Sequence, residues 1–237
     1  MYLARCGVGS RRHCEELIRQ GRVAVNQETV SLQGLKVGEG DRVSLDGKAL
    51  SPISQTIYLA LHKPSGYLCA NEDSQGRPLA SELFAGRVNT RLFHIGRLDF
   101  LSSGLIFYTN DGQFARLVSH PSSGIEKEYL AETRESVPES LLQRYQAGIR
   151  VEGEIFRLRR YAYRSRRTVL LTLVEGKNRE IRKVFQNSRL TIRRIQRTRI
   201  GCVSLRDLPL GAFRRLTAAE VRWFFKRAQE KDDGGSD

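Results

Sequence analysis

The sequence predicts an α+β protein in two parts, a small α/β unit followed by a larger β-rich unit. Three observations carry this. Runs of β-forming residues, clearest at 57–62, 105–109, 127–133 and 169–174, are interspersed with helical patterns at 113–120, 138–147 and 179–187. The stretch Ser51-Pro52-Ile53-Ser54-Gln55 interrupts both periodicities and reads as a linker. A chain of 237 residues, 40% hydrophobic and 28% charged, has room for one small and one medium core.

In the first unit, residues 1–50, Ser10 can cap a helix over 11–20. Cys14, Leu17 and Ile18 form its apolar stripe and Gly21 its stop. Residues 22–26 then alternate as a strand, and a second strand over 41–45 closes on the turn Asp46-Gly47. The second unit is expected over 56–229. Its further strands are placed at 156–163, 192–197 and 201–205, and its last helix at 218–230. Pro121 ends the helix over 113–120. Residues 230–237 are polar, acidic and glycine-containing, which predicts a disordered tail.

Composition excludes several classes of function. No run of about eighteen apolar residues occurs, so no membrane span is expected. The N-terminus lacks the apolar segment of a secretory signal. Cys6, Cys14, Cys69 and Cys202 are scattered, without Cys-x-x-Cys or histidine at ligand spacing, which argues against bound metal and for a reducing, cytoplasmic setting. No Gly-x-Gly-x-x-Gly follows a strand and no Walker loop exists, so a Rossmann or methyl-donor site is not expected.

Charge points the other way, toward a partner. The net charge is +14, and residues 141–200 hold seventeen basic and only four acidic side chains. Arginine supplies thirty-two of the forty cations, the side chain that forks onto phosphate and stacks on bases. A polyanion is implied, nucleic acid ahead of acidic lipid, since no separable basic amphipathic helix is present. The first unit has eight basic and six acidic residues, so binding there would depend on where its arginines sit.

The most informative stretch is the nineteen residues from His94 to Gly112. They hold Asp99 in a Gly-Arg-Leu-Asp turn, then Ser-Ser-Gly, then an apolar strand (Leu105, Ile106, Phe107, Tyr108) stopped by Asn110-Asp111-Gly112. An acid fixed between a glycine turn and a core strand has the rigid frame a catalytic carboxylate needs. The stretch resembles the catalytic signature of the rRNA pseudouridine synthases of the RsuA/RluB-like branch. That signature is Gly-Arg-Leu-Asp, two variable residues, Thr or Ser, any residue, Gly-Leu, then Thr-Asn-Asp-Gly. Four more segments resemble that family in order: Leu61-His62-Lys63-Pro64-Ser65-Gly66, Glu126-Lys127-Glu128-Tyr129, residues 175–183 and residues 208–217. The N-terminal YLARCGVGSRRHCEELIRQGRVAVN is similar to the S4 RNA-binding domain, with Arg11, Arg12, Arg19 and Arg22 crowding its helix. That family carries a few more residues before Tyr2, so a short first helix is expected.

The resemblance implies a catalytic domain on a mixed, mainly antiparallel sheet with flanking helices. It also implies isomerisation of one uridine in ribosomal RNA to pseudouridine. No cofactor is implied. The expected partner is ribosomal RNA, free or in an assembling subunit, met by a monomer. Asp99 would be the essential carboxylate, a nucleophile at sugar or base or a base removing a ribose proton. Burial under the substrate would raise its pKa, and Arg182 is the guanidinium expected to offset this. Tyr129 would stack on the uracil. Arg97 would enter the gap left by the extruded base or hold its own loop. Lys177, Arg179 and Lys183 would contact RNA, and Lys63 would either touch phosphate or steady its turn. His62 and His94 are expected as scaffold, Asp111 as a helix cap. Asn178-Arg179-Glu180 looks more like the large-subunit enzymes than the small-subunit one. Two rival readings are a non-catalytic RNA-binding assembly factor, opposed by the joint presence of Asp99, Tyr129 and Arg182, and a methyltransferase, opposed by the missing glycine loop.

Overall fold

The computed structural model describes residues 2–233, with side chains through residue 230. The chain divides into two compact units, residues 1–56 with 89–91, and residues 57–88 with 92–237.

In the first unit, a single turn α1 (Tyr2–Arg5) precedes α2 (Arg11–Arg19). The Ser10 hydroxyl accepts from the His13 N–H at 3.2 Å, so one unpaired donor of the helix start is satisfied. Strands β1 (Val23–Val25), β2 (Glu28–Val30), β3 (Val43–Leu45) and β4 (Lys48–Leu50) form an antiparallel sheet in the order β2-β1-β3-β4. Leu3, Cys14, Leu17, Val23 and Val43 make its core. The sequence reading finds β1 and β3 but not β2 and β4. Those two are three-residue outer strands, largely exposed, and carry no hydrophobic alternation. They exist because positive φ at Asn26, Gln27, Asp46 and Gly47 turns the chain tightly back on itself. Residues 51–57 have no regular structure, although the Ile53 N–H bonds to the Arg5 carbonyl at 3.0 Å.

The second unit contains β5 (Tyr58–Lys63), β6 (Phe93–Ile95), β7 (Ser103–Thr109), α3 (Gly112–Ser119), β8 (Lys127–Thr133) and α4 (Glu139–Ala147). Next come β9 (Ile149–Val151), β10 (Glu154–Phe156), β11 (Arg160–Ser165), β12 (Thr168–Leu173) and α5 (Glu180–Asn187). Strands β13 (Ile192–Ile200), β14 (Val203–Ser204) and β15 (Phe213–Arg215) and helix α6 (Ala218–Asp233) complete it. The main sheet runs β11-β12-β8-β13-β7-β5-β15, with β6 on β7 and β14 on β13. Within it β13 and β7 are parallel and the other named pairs antiparallel, the mixed sheet that the resemblance implies.

All seven residues of β7 are buried, because helices cover both faces of the sheet. Leu105 and Phe107 pack with Phe114 and Val118 of α3 and Phe224 of α6. Ile106 and Tyr108 belong to the opposite core, with Leu141, Tyr145, Val184 and Phe185. Each such side chain contributes roughly 1.5–3 kcal/mol on burial, so neither face of the signature strand is free for contact with a partner.

Two expectations are corrected. The strand expected over 156–163 is two strands, β10 in a separate hairpin with β9 and β11 at the sheet edge. Phe156 and Leu158 are both buried, so the alternation reads through the corner between them. The disordered tail expected over 230–237 is helical through Asp233, where α6 ends; residues 234–237 lie outside the described residues.

Candidate active site

Asp99 sits in the loop over 96–102, between β6 and β7. Gly96, at φ +66°, turns the chain out of β6, and His94 Nδ1 lies 2.8 Å from the Gly96 carbonyl. The Ser102 N–H bonds to the Asp99 carbonyl at 3.0 Å and the Gly66 N–H to that of Phe100 at 2.7 Å. The Leu98 N–H reaches the Cys69 sulfur at 3.4 Å. The loop is therefore pinned to the segment over 64–69, which Lys63 holds in turn. Its ammonium donates to the Pro64 and Tyr67 carbonyls at 2.7 and 2.8 Å. Lys63 has 0% of its surface exposed, and burial pushes its pKa down to about 8. Of the two roles expected of Lys63, the structure has it steadying the turn inside the fold, away from any surface that RNA could touch. His62 is likewise buried, with Nδ1 2.8 Å from the Leu208 carbonyl and Nε2 3.1 Å from Gln196 Nε2.

Helix α5 brings Arg182 to Asp99. Arg182 Nε lies 3.5 Å from Asp99 Oδ2, and its terminal nitrogen donates to the Leu101 carbonyl (3.0 Å) and Ser102 Oγ (3.1 Å). The cation is the hidden member, its side chain 12% exposed against 40% for Asp99. Burial lowers the Arg182 pKa and the Asp99 charge partly restores it. So the carboxylate expected to be buried faces the opening, and the guanidinium beneath it holds the desolvated position. At the start of α5, buried Glu180 accepts from the Tyr145 hydroxyl (3.0 Å) and the Lys177 N–H (3.3 Å). Burial raises its pKa to about 7.

Tyr129, on β8, lines the same cleft, about 200 Å³ in volume, as Asp99 and Arg182. Beside it is Arg197, which the sequence reading did not single out. Arg197 is 3% exposed; its Nε donates to the Leu105 carbonyl at 2.6 Å. One terminal nitrogen lies 3.4 Å from both the Tyr129 hydroxyl and the Arg97 carbonyl. The other is buried with no hydrogen-bond partner among the described residues. The guanidinium carbon stands 5.9 Å from the centre of the Tyr129 ring. The available signal was phase: Arg197 shares the inward side of β13 with Ile195. Lys127, at the start of β8, also lines the cleft, and burial, with the Arg197 charge adding, drives its pKa down to about 8.

Arg97 and Arg179 are exposed on the cleft wall. Lys177 lines it too, but donates to the Ile155 carbonyl at 2.6 Å. Lys183 is turned onto Glu152 (3.0 Å) and Glu154 (3.5 Å), which share its charge. In the first unit, Arg11 and Arg12 are exposed with no side-chain partner among the described residues. Arg19 pairs with Glu16, and Arg22 with Asp46 at 2.5 Å. Asp111 caps α3, accepting from the Gln113 and Phe114 N–H groups, and also takes the Tyr58 hydroxyl at 2.9 Å. Among the described residues no helix is long and apolar enough to cross a membrane.

An open carboxylate backed by a buried arginine, with a tyrosine on the same small cleft, suits an enzyme that works by acid–base or nucleophilic chemistry. Residues 57–187 match the RNA pseudouridylate synthase family and residues 1–43 the S4 domain. The chain belongs to the RNA pseudouridylate synthase family and is an isomerase of that kind. It is 41% identical, over 100% of its length and 96% of the other's, to an uncharacterized RNA pseudouridine synthase of Borreliella burgdorferi. It is 34% identical to the ribosomal large subunit pseudouridine synthase B of Bacillus subtilis, over 93% of this chain and 92% of that one. A crystal structure of a pseudouridylate synthase superposes with a TM-score of 0.69 at 26% identity, covering 94% of this chain and 96% of that one.

Proposed function

We propose that this protein isomerises a uridine of large-subunit ribosomal RNA to pseudouridine, with Asp99 as the carboxylate that does the chemistry. The observation that carries the reading is the Asp99–Arg182 pair at 3.5 Å, open on the carboxylate side and facing Tyr129. The large-subunit choice is supported by the Bacillus subtilis relative and by Asn178-Arg179-Glu180 in the third motif.

The reaction breaks the bond from ribose to ring nitrogen, turns the uracil, and joins ribose to carbon 5, whose proton passes to water while the freed ring nitrogen takes one up. It is redox-neutral and exchanges only protons with solvent, so one well-held carboxylate can carry it. Arg182 supplies the opposite charge beside Asp99 when substrate excludes water from the cleft. The base must leave its stack to reach the cleft, and the exposure of Arg97 beside Asp99 supports its filling the gap. Tyr129 offers a ring face, and the unfilled donor of Arg197 offers a hydrogen bond to a uracil oxygen. Arg179 and Lys177 meet the backbone at the rim, and Arg11 and Arg12 supply contacts from the S4 domain. Carbodiimide mapping of pseudouridine in ribosomal RNA from cells with and without this protein tests the reading. A site lost from the large-subunit RNA is the expected result; loss confined to small-subunit RNA, or no loss, would overturn it.

A further inference from the structure

A second cleft, about 660 Å³, is lined by Trp223, Lys226 and Arg227 of α6 together with Arg159, Glu126 and Arg199. We propose that it binds a nucleotide of the RNA strand flanking the target uridine, with the base stacked on Trp223 and the phosphate held by Arg159. The inference rests on RNA being the substrate.

The indole is a fixed platform. It lies over Gly201, at φ +56°, where an added Cβ would stand 2.6 Å from the ring. Phe224 holds it edge-on, with ring centres 5.0 Å apart. Yet Trp223 remains 37% exposed, so part of a large aromatic surface faces solvent with nothing on it among the described residues. A rigid exposed aromatic beside cations is the arrangement on which single-stranded nucleotides stack without base selection.

The cations differ in how free they are. Arg199 donates to the Gly201 carbonyl at 2.7 Å and faces Glu126 and Glu128, so it belongs to the wall. Lys226 and Arg227 share one carboxylate, Glu230, at 3.9 and 3.3 Å. Arg159 is exposed and its side chain has no partner among the described residues, which leaves its fork for a phosphate.

The cleft also continues the catalytic one. Lys127, Leu173 and Ile200 line the cleft of Asp99, and their chain neighbours Glu126, Val174 and Gly201 line this one. Three adjacent strand ends therefore form a shared rim, and an RNA strand leaving the catalytic cleft over it meets Trp223.

Trp223 is the only tryptophan of the chain, so its fluorescence reports on this cleft alone. The test uses the full chain, an unmodified transcript of large-subunit ribosomal RNA and acrylamide as quencher, with tritium release from carbon 5 measured on the same mixture. RNA should shield Trp223 from acrylamide. Trp223→Ala and Arg159→Glu should each raise KM for RNA roughly ten-fold, while Trp223→Phe, which keeps an aromatic ring over Gly201, should stay within about three-fold. Arg164→Glu, the same charge change at the exposed far end of β11, should stay within about two-fold. Turnover with unchanged quenching would overturn the inference while leaving the catalytic reading intact. So would equal effects of Arg159→Glu and Arg164→Glu, or shielding by polyglutamate in place of RNA. A transcript that shields Trp223 without being turned over would support the cleft and count against the rRNA target.

Discussion

Gly104 and Arg197 face each other across the parallel pair of β7 and β13 with no space between them. A Cβ at Gly104 would stand 2.3 Å from the Arg197 carbonyl oxygen and 2.4 Å from its nitrogen. Gly104 is also at φ +118°, a conformation L side chains rarely adopt. The glycine of the Ser-Ser-Gly step thus lets a distant strand come close enough for Arg197 to reach the Leu105 carbonyl and Tyr129.

Gly104→Ala should therefore be far worse than a usual core substitution. Three backbone atoms of Arg197 oppose the new methyl group and none can rotate away. A loss of about 3 kcal/mol or more is expected, with the strands forced apart. Thermal unfolding by circular dichroism checks it; a Tm within a degree or two of the parent would show that β13 is free to shift.

Arg197→Lys separates charge from shape. Lysine keeps the positive charge but cannot hold Leu105, Arg97 and Tyr129 at once, because that requires a planar fork. Turnover should fall about a hundred-fold while KM for RNA changes only a few-fold, as for a group acting inside the cleft. Equal loss in kcat and in RNA affinity would mean that Arg197 serves binding instead.

How much of this was legible beforehand depended on range. Residues 127–133 form the strand expected from their β-formers, and Ser10 caps the helix its position announces. Asp99, Tyr129 and Arg182 were picked from local motifs and come together on one cleft. Arg197 was not readable in this way, and Lys63 only as one of two roles. A buried arginine is acceptable only because carbonyls and a hydroxyl from three distant segments meet it, and none of them is near it in sequence. Lys63 ends an apolar strand and looks like a surface cation until the turn over 64–67 folds its carbonyls back onto the ammonium. The three-residue strands β6 and β15 are likewise made by pairing with β7 and β5, too short to carry a period of their own.

The two rim and core cations can be told apart by salt. Each phosphate contact contributes about one to the slope of log affinity against log salt. Arg179→Ala should lower the magnitude of that slope by about one. Lys63→Met should leave the slope unchanged and instead cost roughly 1–3 kcal/mol of stability, because two carbonyls lose their donor. Filter binding over a salt series, with parallel unfolding curves, decides; a slope change in Lys63→Met would restore it as an RNA contact.

Glu180 gives the fold a pH dependence of known sign. Its folded pKa, about 7, lies above the ordinary value of 4.5 because burial disfavours the charged form. The folded chain therefore binds this proton more tightly than the unfolded chain. The stability it contributes is complete below about 4.5, falls as pH rises toward about 7, and levels off above. The full swing is on the order of 3 kcal/mol. Glu180→Gln keeps an acceptor for Tyr145 and does not titrate. Its Tm relative to the parent should rise across that window; a difference independent of pH would show that Glu180 binds its proton equally in the folded and unfolded chain.

The last prediction concerns Asp99 itself. Arg182 is held by the Leu101 carbonyl and Ser102 Oγ as well as by Asp99, so Asp99→Asn leaves the buried guanidinium with two acceptors. The variant should fold, with a Tm within a few degrees of the parent. Its amide has neither the charge nor the nucleophilic or basic oxygen that the isomerisation needs, so turnover should fall by several orders of magnitude. RNA affinity should stay within a few-fold, or improve slightly, since a negative charge facing phosphate is gone. Arg182→Ala removes the cation beneath an Asp99 that is 40% exposed; water can partly replace it in the free enzyme but not once RNA covers the cleft. The loss should therefore appear in kcat more than in stability. Because the pair acts as a unit, the double variant should be little worse than Asp99→Asn alone. Tritium release from carbon 5 of labelled uridine in RNA measures all three. Substantial release by folded Asp99→Asn would remove Asp99 from the chemistry.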